Sequence, residues 1–398
     1  MGNDSANLLH WDIFCAVVDN YGDIGVTWRL AKQLSNEKQI DICLWVDDLH
    51  SFSHILPQLD PLLTTQVHHG ITINLWSNPL AIEYQPGSVL IEAFACELPD
   101  EVKHALLALH VQHKADPKLQ QPPVWINLEY LSAESWVAGC HGLPSMQANG
   151  LKKHFYFPGF SDNTGGLLCE RDLFLRRDEW QNNPLNRMAL FSQLGLSGIE
   201  AKDTVISVFS YESSALLALC QLWQQSEQII HALIPKGRSL NSLTCILPKP
   251  IDELNSGDQI RLGNLIIHIL PMTDQEGYDK LLWSCDFNIV RGEDSFLRAQ
   301  WAAKPFIWHI YVQEEDYHLI KLDAFMQVYC NNLPPELANS WQALNLAFNQ
   351  EQGEQAIMHW QQLNLVNLPL LQHAKQWPVD AINDVDLASR LVQFVKNS

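Results

Sequence analysis

Two doubly wound α/β domains in tandem are predicted for this 398-residue chain, on three observations. Short apolar runs alternate with helical patterns from Trp11 to Phe160, as in a parallel sheet covered on both faces. A polar stretch over 176–203 interrupts that rhythm, which restarts at Thr204. The length is generous for one hydrophobic core and comfortable for two.

The elements follow in order. Trp11–Val18 reads as a strand, and Val26, Leu30, Ala31 and Leu34 then share one helical face. Asp41–Val46, Ile71–Trp76 and Ser88–Ala95 read as further strands. Asp100 is placed to cap a helix carrying Val102, Leu106, Leu107 and Leu109. Val124–Leu131 and His154–Phe160 complete the first series. The second series has strands at Thr204–Ser210, Ile229–Pro235, Leu265–Leu270, Asp286–Val290 and Pro305–Tyr311. Its helices are Ser213–Gln225, Asp274–Trp283 and Ser295–Ala303. A terminal helix is expected within Asp380–Lys396. The division is therefore a first domain over 1–175, a linker over 176–203 and a second domain over 204–377. The terminal helix, 378–398, is expected to pack back on the first domain.

The composition is that of a globular protein, 47% apolar and 18% charged. A net charge of −20 repels a phosphate backbone, which disfavours nucleic acid and favours a cationic partner. The nine cysteines are odd in number, form no CxxC and in part sit in apolar runs, which fits reduced, buried thiols. Met1–His10 is polar and no apolar run reaches membrane-span length, so a cytoplasmic location is expected.

Two tandem domains of this kind suggest the two-domain glycosyltransferase architecture, GT-B, in which the carboxyl ends of both sheets look across a cleft. Ligands of open α/β sheets bind at those strand ends. Two loops would then form opposite walls. One is Asp19-Asn-Tyr-Gly-Asp-Ile-Gly25, a glycine-containing turn that carries two acids and lacks the GxGxxG and Walker A fingerprints. Taken alone, Asp19 reads as a turn former and Asp23 as a helix N-terminal acid. The other loop is Arg291–Ser295, where a strand ends and Ser295 is placed to cap the next helix. The helix start and Arg291 suit a diphosphate, with Asp294 and Ser295 at its positive end. Phe209 and Tyr211, Gln275 and Tyr278 also follow strand ends, where the rings either wall a base whose polar edge the amide reads, or pack in the core. No metal is expected: His68-His69 lacks further ligands, and Asp384-Val385-Asp386 reads as a helix cap.

These segments resemble a family. Asp19–Gly25 with Trp28-Arg-Leu30, Arg291-Gly-Glu-Asp-Ser-Phe296, Trp308-His-Ile-Tyr311 and Lys321–Phe325 look like the bacterial protein-arginine rhamnosyltransferases that modify translation elongation factor P. The likeness runs over nearly the whole chain, including Asn127–Ser132, His141–Ser145 and Phe157–Phe160. It implies a GT-B enzyme moving L-rhamnose from dTDP-β-L-rhamnose to one arginine with inversion. Asp23 then matches the general base, Asp19 its partner and Glu293 a third essential acid. Phe209, Tyr211, Gln275, Tyr278, Arg291, Gly292, Asp294 and Ser295, with Tyr21 and Gly22, match the donor site. Met272 stands where the family places an aromatic ring. The alternatives are a GT-B enzyme with a small-molecule or lipid acceptor, or a non-catalytic nucleotide-sugar binder, which would need neither Asp19 nor Asp23.

Overall fold

The computed structural model describes residues 10–18, 21–147, 150–363 and 368–398. It divides into two compact units, Met1–Arg171 with Ile382–Ser398, and Asp172–Ala381.

The first unit is built on β1 (Trp11–Cys15), β2 (Ile42–Val46), β3 (Thr65–His68), β4 (Ile71–Leu75), β5 (Val89–Ala93), β6 (Val124–Leu128), β7 (Pro144–Met146) and β8 (Lys152–Tyr156). They lie in the order β3-β4-β2-β1-β5-β6-β8-β7. The inner strands are parallel, but β3 and β7 add antiparallel edges, so the sheet is mixed rather than wholly parallel. The β3–β4 hairpin turns on His69 and Gly70, at φ 53° and 76°, a pair of left-handed residues suited to a two-residue loop. β3 is half-exposed and carries no apolar run, so nothing in its local sequence announces a strand.

The core forms where side chains of β1 and its neighbours meet. Phe14 stacks on Trp45 at 5.2 Å, with Trp76 and Tyr84 edge-on. Asp12 is fully buried, and its carboxylate accepts from Trp45 Nε1, Tyr84 Oη and the Gly87 N–H, at 3.0, 3.0 and 2.9 Å. Those donors offset the desolvation of a buried acid. The helix Asp100–Ala115 begins at Asp100 itself, so that acid lies in the first turn and Pro99 holds the cap position. Near the chain end, Asp386 caps the helix Leu387–Asn397 through the Ser389 N–H and also accepts from Gln33 Nε2, while Phe394 packs edge-on against His154 and Tyr156. The helix before it, Leu368–Ile382, belongs to the second unit as far as Ala381 and is bound there by Trp377 Nε1 donating to Gln300.

The second unit has β9 (Thr204–Val208), β10 (Ile230–Pro235), β11 (Gln259–Leu262), β12 (Leu265–Leu270), β13 (Phe287–Arg291) and β14 (Phe306–His309), in the order β11-β12-β10-β9-β13-β14. Only β11 runs antiparallel to its neighbour. The edge at β14 is closed by side chains of the helix Pro335–Asn349: Asn345 and Asn349 accept from the Trp308 and Ile310 N–H groups. The stretch expected as a linker falls within the second unit. Its residues form the helices Leu173–Gln181 and Pro184–Gln193, whose Leu190, Phe191 and Leu194 pack on Val205, Leu233 and Leu281. Its polar composition reflects one solvated helix face, while burying the other face ties it to the second unit.

All nine cysteines are free thiols. No helix among the described residues is long and apolar enough to cross a membrane.

Candidate functional site

Each sheet has one topological switch point, where the strand order reverses: between β1 and β5 in the first unit, and between β9 and β13 in the second. Ligands of open α/β sheets sit at such points, beyond the carboxyl ends.

In the first unit the loop after β1 leads into the helix Gly22–Lys38, with Tyr21 at the cap position and Asp23 in the first turn. Asp23 is 3% exposed. Its Oδ2 accepts from the Val18 N–H at 3.0 Å, and its Oδ1 accepts from Tyr130 Oη at 3.0 Å. Tyr130 lies just past β6 and stacks on Phe94, just past β5, at 4.4 Å and 16°. Phe94 and Ala95 both have positive φ, and the Ala95 N–H donates to Asn127 Oδ1, so the turn that presents the Phe94 ring is held from below. Loops after three adjacent strands thus converge on one carboxylate. Tyr21 meets His54 edge-on at 5.7 Å, and its carbonyl accepts from the Gly25 N–H. Asp19 lies outside the described residues. Tyr130 carries no local motif, and its place just beyond a strand at the switch point is the signal the sequence holds for it.

In the second unit Arg291 ends β13, 8% exposed. Its guanidinium carbon lies 4.5 Å from the Phe209 ring centroid and 4.9 Å from that of Tyr211, and it donates to the Ser210 carbonyl at 3.3 Å. The β9 loop is fixed in turn by Ser239, whose hydroxyl accepts from the Ser210 N–H and donates to the Ser210 carbonyl. Phe209 touches Tyr278 edge-on, and burial raises the Tyr278 phenol above its ordinary pKa, against the pull of the nearby Ser295 hydroxyl. Tyr211 meets His309, at the end of β14, edge-on at 5.3 Å. Burial first, then the Arg291 and Arg238 guanidiniums, push the His309 imidazole down to about 3, so it is neutral at pH 7.

The Arg291-Gly292 turn has a physical reason for its glycine: φ at Gly292 is 65°. The Gly292 carbonyl accepts from Trp308 Nε1 at 3.0 Å, and that indole stacks on Phe296 at 3.7 Å. The helix runs Asp294–Trp301, with Glu293 at the cap position. Ser295 is therefore the second helical residue and not the cap, because the left-handed Gly292 completes the reversal and the helix starts two residues earlier than expected. Asp294 and Ser295 remain in the first turn, where free N–H groups suit an anion. Gln275 opens the helix Gln275–Ser284, capped by Asp274 through the Gly277 N–H. That helix is locked to the Glu293-capped one by Arg298, which donates to both Asp279 oxygens at 2.9 and 2.6 Å, with both side chains buried. Phe209, Tyr211, Tyr278, Arg291 and the 292–295 turn are thus brought together, while Tyr21, Gly22 and Asp23 belong to the first unit. Met272 is about half-exposed.

Among the described residues, one trio of His, Cys or acid side chains is close enough to share an ion: His10, Asp12 and Cys43. It lies at the amino ends of the strands, and its carboxylate is already engaged by Trp45, Tyr84 and Gly87.

Comparison with known proteins adds the lineage of this arrangement. The family model described as Elongation-Factor P (EF-P) rhamnosyltransferase EarP matches residues 11–396. The protein-arginine rhamnosyltransferase of Shewanella oneidensis is 66% identical over 397 residues, covering 99% of each chain. That of Pseudomonas aeruginosa is 42% identical, covering 96% of this chain and 98% of its own. A solved structure described as the basis for EarP-mediated arginine glycosylation of translation elongation factor EF-P superimposes with a TM-score of 0.65 at 33% identity, covering 98% of this chain and 99% of the other. UDP-GlcNAc 2-epimerase of Neisseria meningitidis shares the fold alone, at a TM-score of 0.50 and 8% identity over 98% of this chain and 99% of its own.

Proposed function

The chain belongs to the elongation-factor-P rhamnosyltransferase family, of GT-B fold, whose activity is rhamnosylation of a protein arginine, and on that premise we propose its donor, acceptor and mechanism. It moves L-rhamnose from dTDP-β-L-rhamnose to an arginine of translation elongation factor P, in the cytoplasm. The observation that carries this reading is Asp23, a carboxylate buried at a switch point with both oxygens oriented by donors.

Arginine has a pKa near 12.5–13.8, so neutralising it at pH 7 costs roughly 8 kcal/mol, at about 1.4 kcal/mol per unit. A carboxylate does not achieve that in the ground state. Proton loss therefore accompanies C–N bond formation, as the attacking nitrogen becomes more acidic. Asp23 orients the guanidinium, with Asp19 as its partner, and takes that proton. Glu293 is the third acid. A carboxylate pair suits the planar guanidinium fork and suits a lysine ammonium poorly. A single displacement at the anomeric carbon inverts its configuration.

Phe209, Tyr211, Gln275 and Tyr278 wall the thymidine. Arg291 and the N–H groups at Asp294 and Ser295 receive the diphosphate. These groups place positive charge where the leaving group develops negative charge, so no metal ion is invoked. Nine free thiols suit a reducing compartment. The test is an intact-mass measurement of elongation factor P after incubation with the protein and dTDP-rhamnose. A gain of one deoxyhexose, mapped to arginine, is expected; an unmodified factor overturns the assignment.

A further inference from the structure

Tyr211 carries a second arginine that the donor reading does not use. Arg238 follows β10 and opens the short helix Arg238–Asn241; its guanidinium carbon lies 4.8 Å from the Tyr211 centroid. Arg291 lies 4.9 Å from the same centroid. Two cations therefore share one aromatic ring, in a chain whose net charge is −20. Like charges converge in this way where an anion is to be received. Arg238 is not idle in this structure: its Nε donates to Glu212 Oε2 at 2.6 Å, and Asn241 Nδ2 holds the other Glu212 oxygen at 3.3 Å. Both side chains of the pair are 44% exposed, so water screens it and the bond is easily exchanged. Arg291, by contrast, is buried and anchored to the Ser210 carbonyl. The Nδ1 of His309, beside the same ring, is buried with no hydrogen-bond partner among the described residues, so one polar atom of this pocket lacks a protein partner.

We propose that Arg238 is a second diphosphate-binding residue, which Glu212 holds on the face of Tyr211 until the nucleotide exchanges for the carboxylate. The proposal rests on the donor reading above and deepens it. The chemistry calls for such a residue. As the bond from the anomeric carbon to the β-phosphate oxygen breaks, its electron pair stays on that oxygen. The terminal phosphate thereby gains a full negative charge, while the guanidine nitrogen bonds to carbon and its proton passes to Asp23. Arg291 offers one buried cation at this end; Arg238 supplies a mobile one that follows the charge as it develops. A guanidinium binds a phosphate dianion more strongly than a single carboxylate, by charge and by its fork of donors.

Binding and turnover of the full chain separate this role from a structural one. Calorimetry with dTDP should show Arg238→Ala weakening binding by about ten- to hundredfold, as removal of one charge-assisted bond does. Glu212→Gln should act in the opposite sense and tighten dTDP severalfold, because it removes the competitor. Thymidine, which lacks phosphates, should bind both variants as it binds wild type. Arg238→Lys should recover part of the dTDP affinity, since the charge returns without the fork. If dTDP binds wild type and both Arg238→Ala and Glu212→Gln unchanged, the proposal is overturned while the donor site stands. Equal weakening by both variants also overturns it, since that is the mark of a merely structural pair. If wild type binds no dTDP, the donor reading itself fails.

Discussion

Asp23→Asn should abolish turnover while leaving both the fold and the donor site intact. The carboxylate accepts from the Val18 N–H on one oxygen and from Tyr130 Oη on the other. An asparagine of the same shape keeps its carbonyl on Val18 and turns its NH₂ toward Tyr130, whose hydroxyl rotates to accept it. The stability change is therefore about 1 kcal/mol or less. The chemical change is large. A positioned general base contributes about 10²–10⁴ in rate, so kcat should fall by at least that range. Tyr130→Phe removes the bond to Oδ1, worth about 1.5–3 kcal/mol for a charged acceptor, so kcat should fall about ten- to hundredfold. Because the phenol acts through the carboxylate, the double variant should be no slower than Asp23→Asn alone. The assay is single-turnover transfer to elongation factor P followed by intact mass, with dTDP calorimetry as the control for the second unit. Turnover of Asp23→Asn within tenfold of wild type refutes the base assignment. A Tyr130→Phe loss that multiplies undiminished in the Asp23→Asn background refutes the coupling.

Other expectations follow from single contacts. Arg291→Ala should weaken dTDP at least tenfold by calorimetry, because it removes a buried cation seated against two rings. Asp279→Asn removes the charge facing the buried Arg298, and breaking such a pair costs about 3–5 kcal/mol, read as a lowered urea midpoint; an unchanged midpoint contradicts it. Gly292→Ala forces a side chain onto φ 65°, at a cost of about 1–2 kcal/mol in the same measurement. Stability should also peak near neutral pH. His268 and His309 are buried and held down to about 4 and about 3, in each case chiefly by burial. Below pH 6.5 the unfolded chain takes up protons that these histidines refuse when folded. Stability thus drops as pH falls, by about 2 kcal/mol for each group between pH 6.5 and 5. His10 has the opposite sign: its bond to Asp12, then that to Cys43, raises it to about 10, so its contribution is complete below pH 6.5 and fades as pH rises toward 10. A pH–stability curve that keeps rising below pH 6 would exclude the neutral histidines.

Much of the architecture was legible from local pattern. Apolar runs of strand length and helical periodicity are properties of neighbouring residues, so the two α/β units and most of their inner strands were legible along the chain, while the order of those strands in each sheet was not. Leu265–Leu270 has the same bounds in the sequence and in the structure. The antiparallel edges β3, β7 and β11 were not legible, because edge strands are half-solvated and need no apolar run. In 176–203 a short helical pattern through Leu190 and Leu194 is legible and matches the helix Pro184–Gln193, but its attachment to residues far along the chain is not. The sequence by itself determined the two acids of the first loop, the arginine-glycine turn of the second unit and the family. Only the tertiary structure decided what each side chain meets. Asp23 and Tyr130 are 107 residues apart, and Arg291 and Ser210 are 81 apart. Pairings across such distances are set by which strands lie side by side at a switch point, and no local periodicity encodes that.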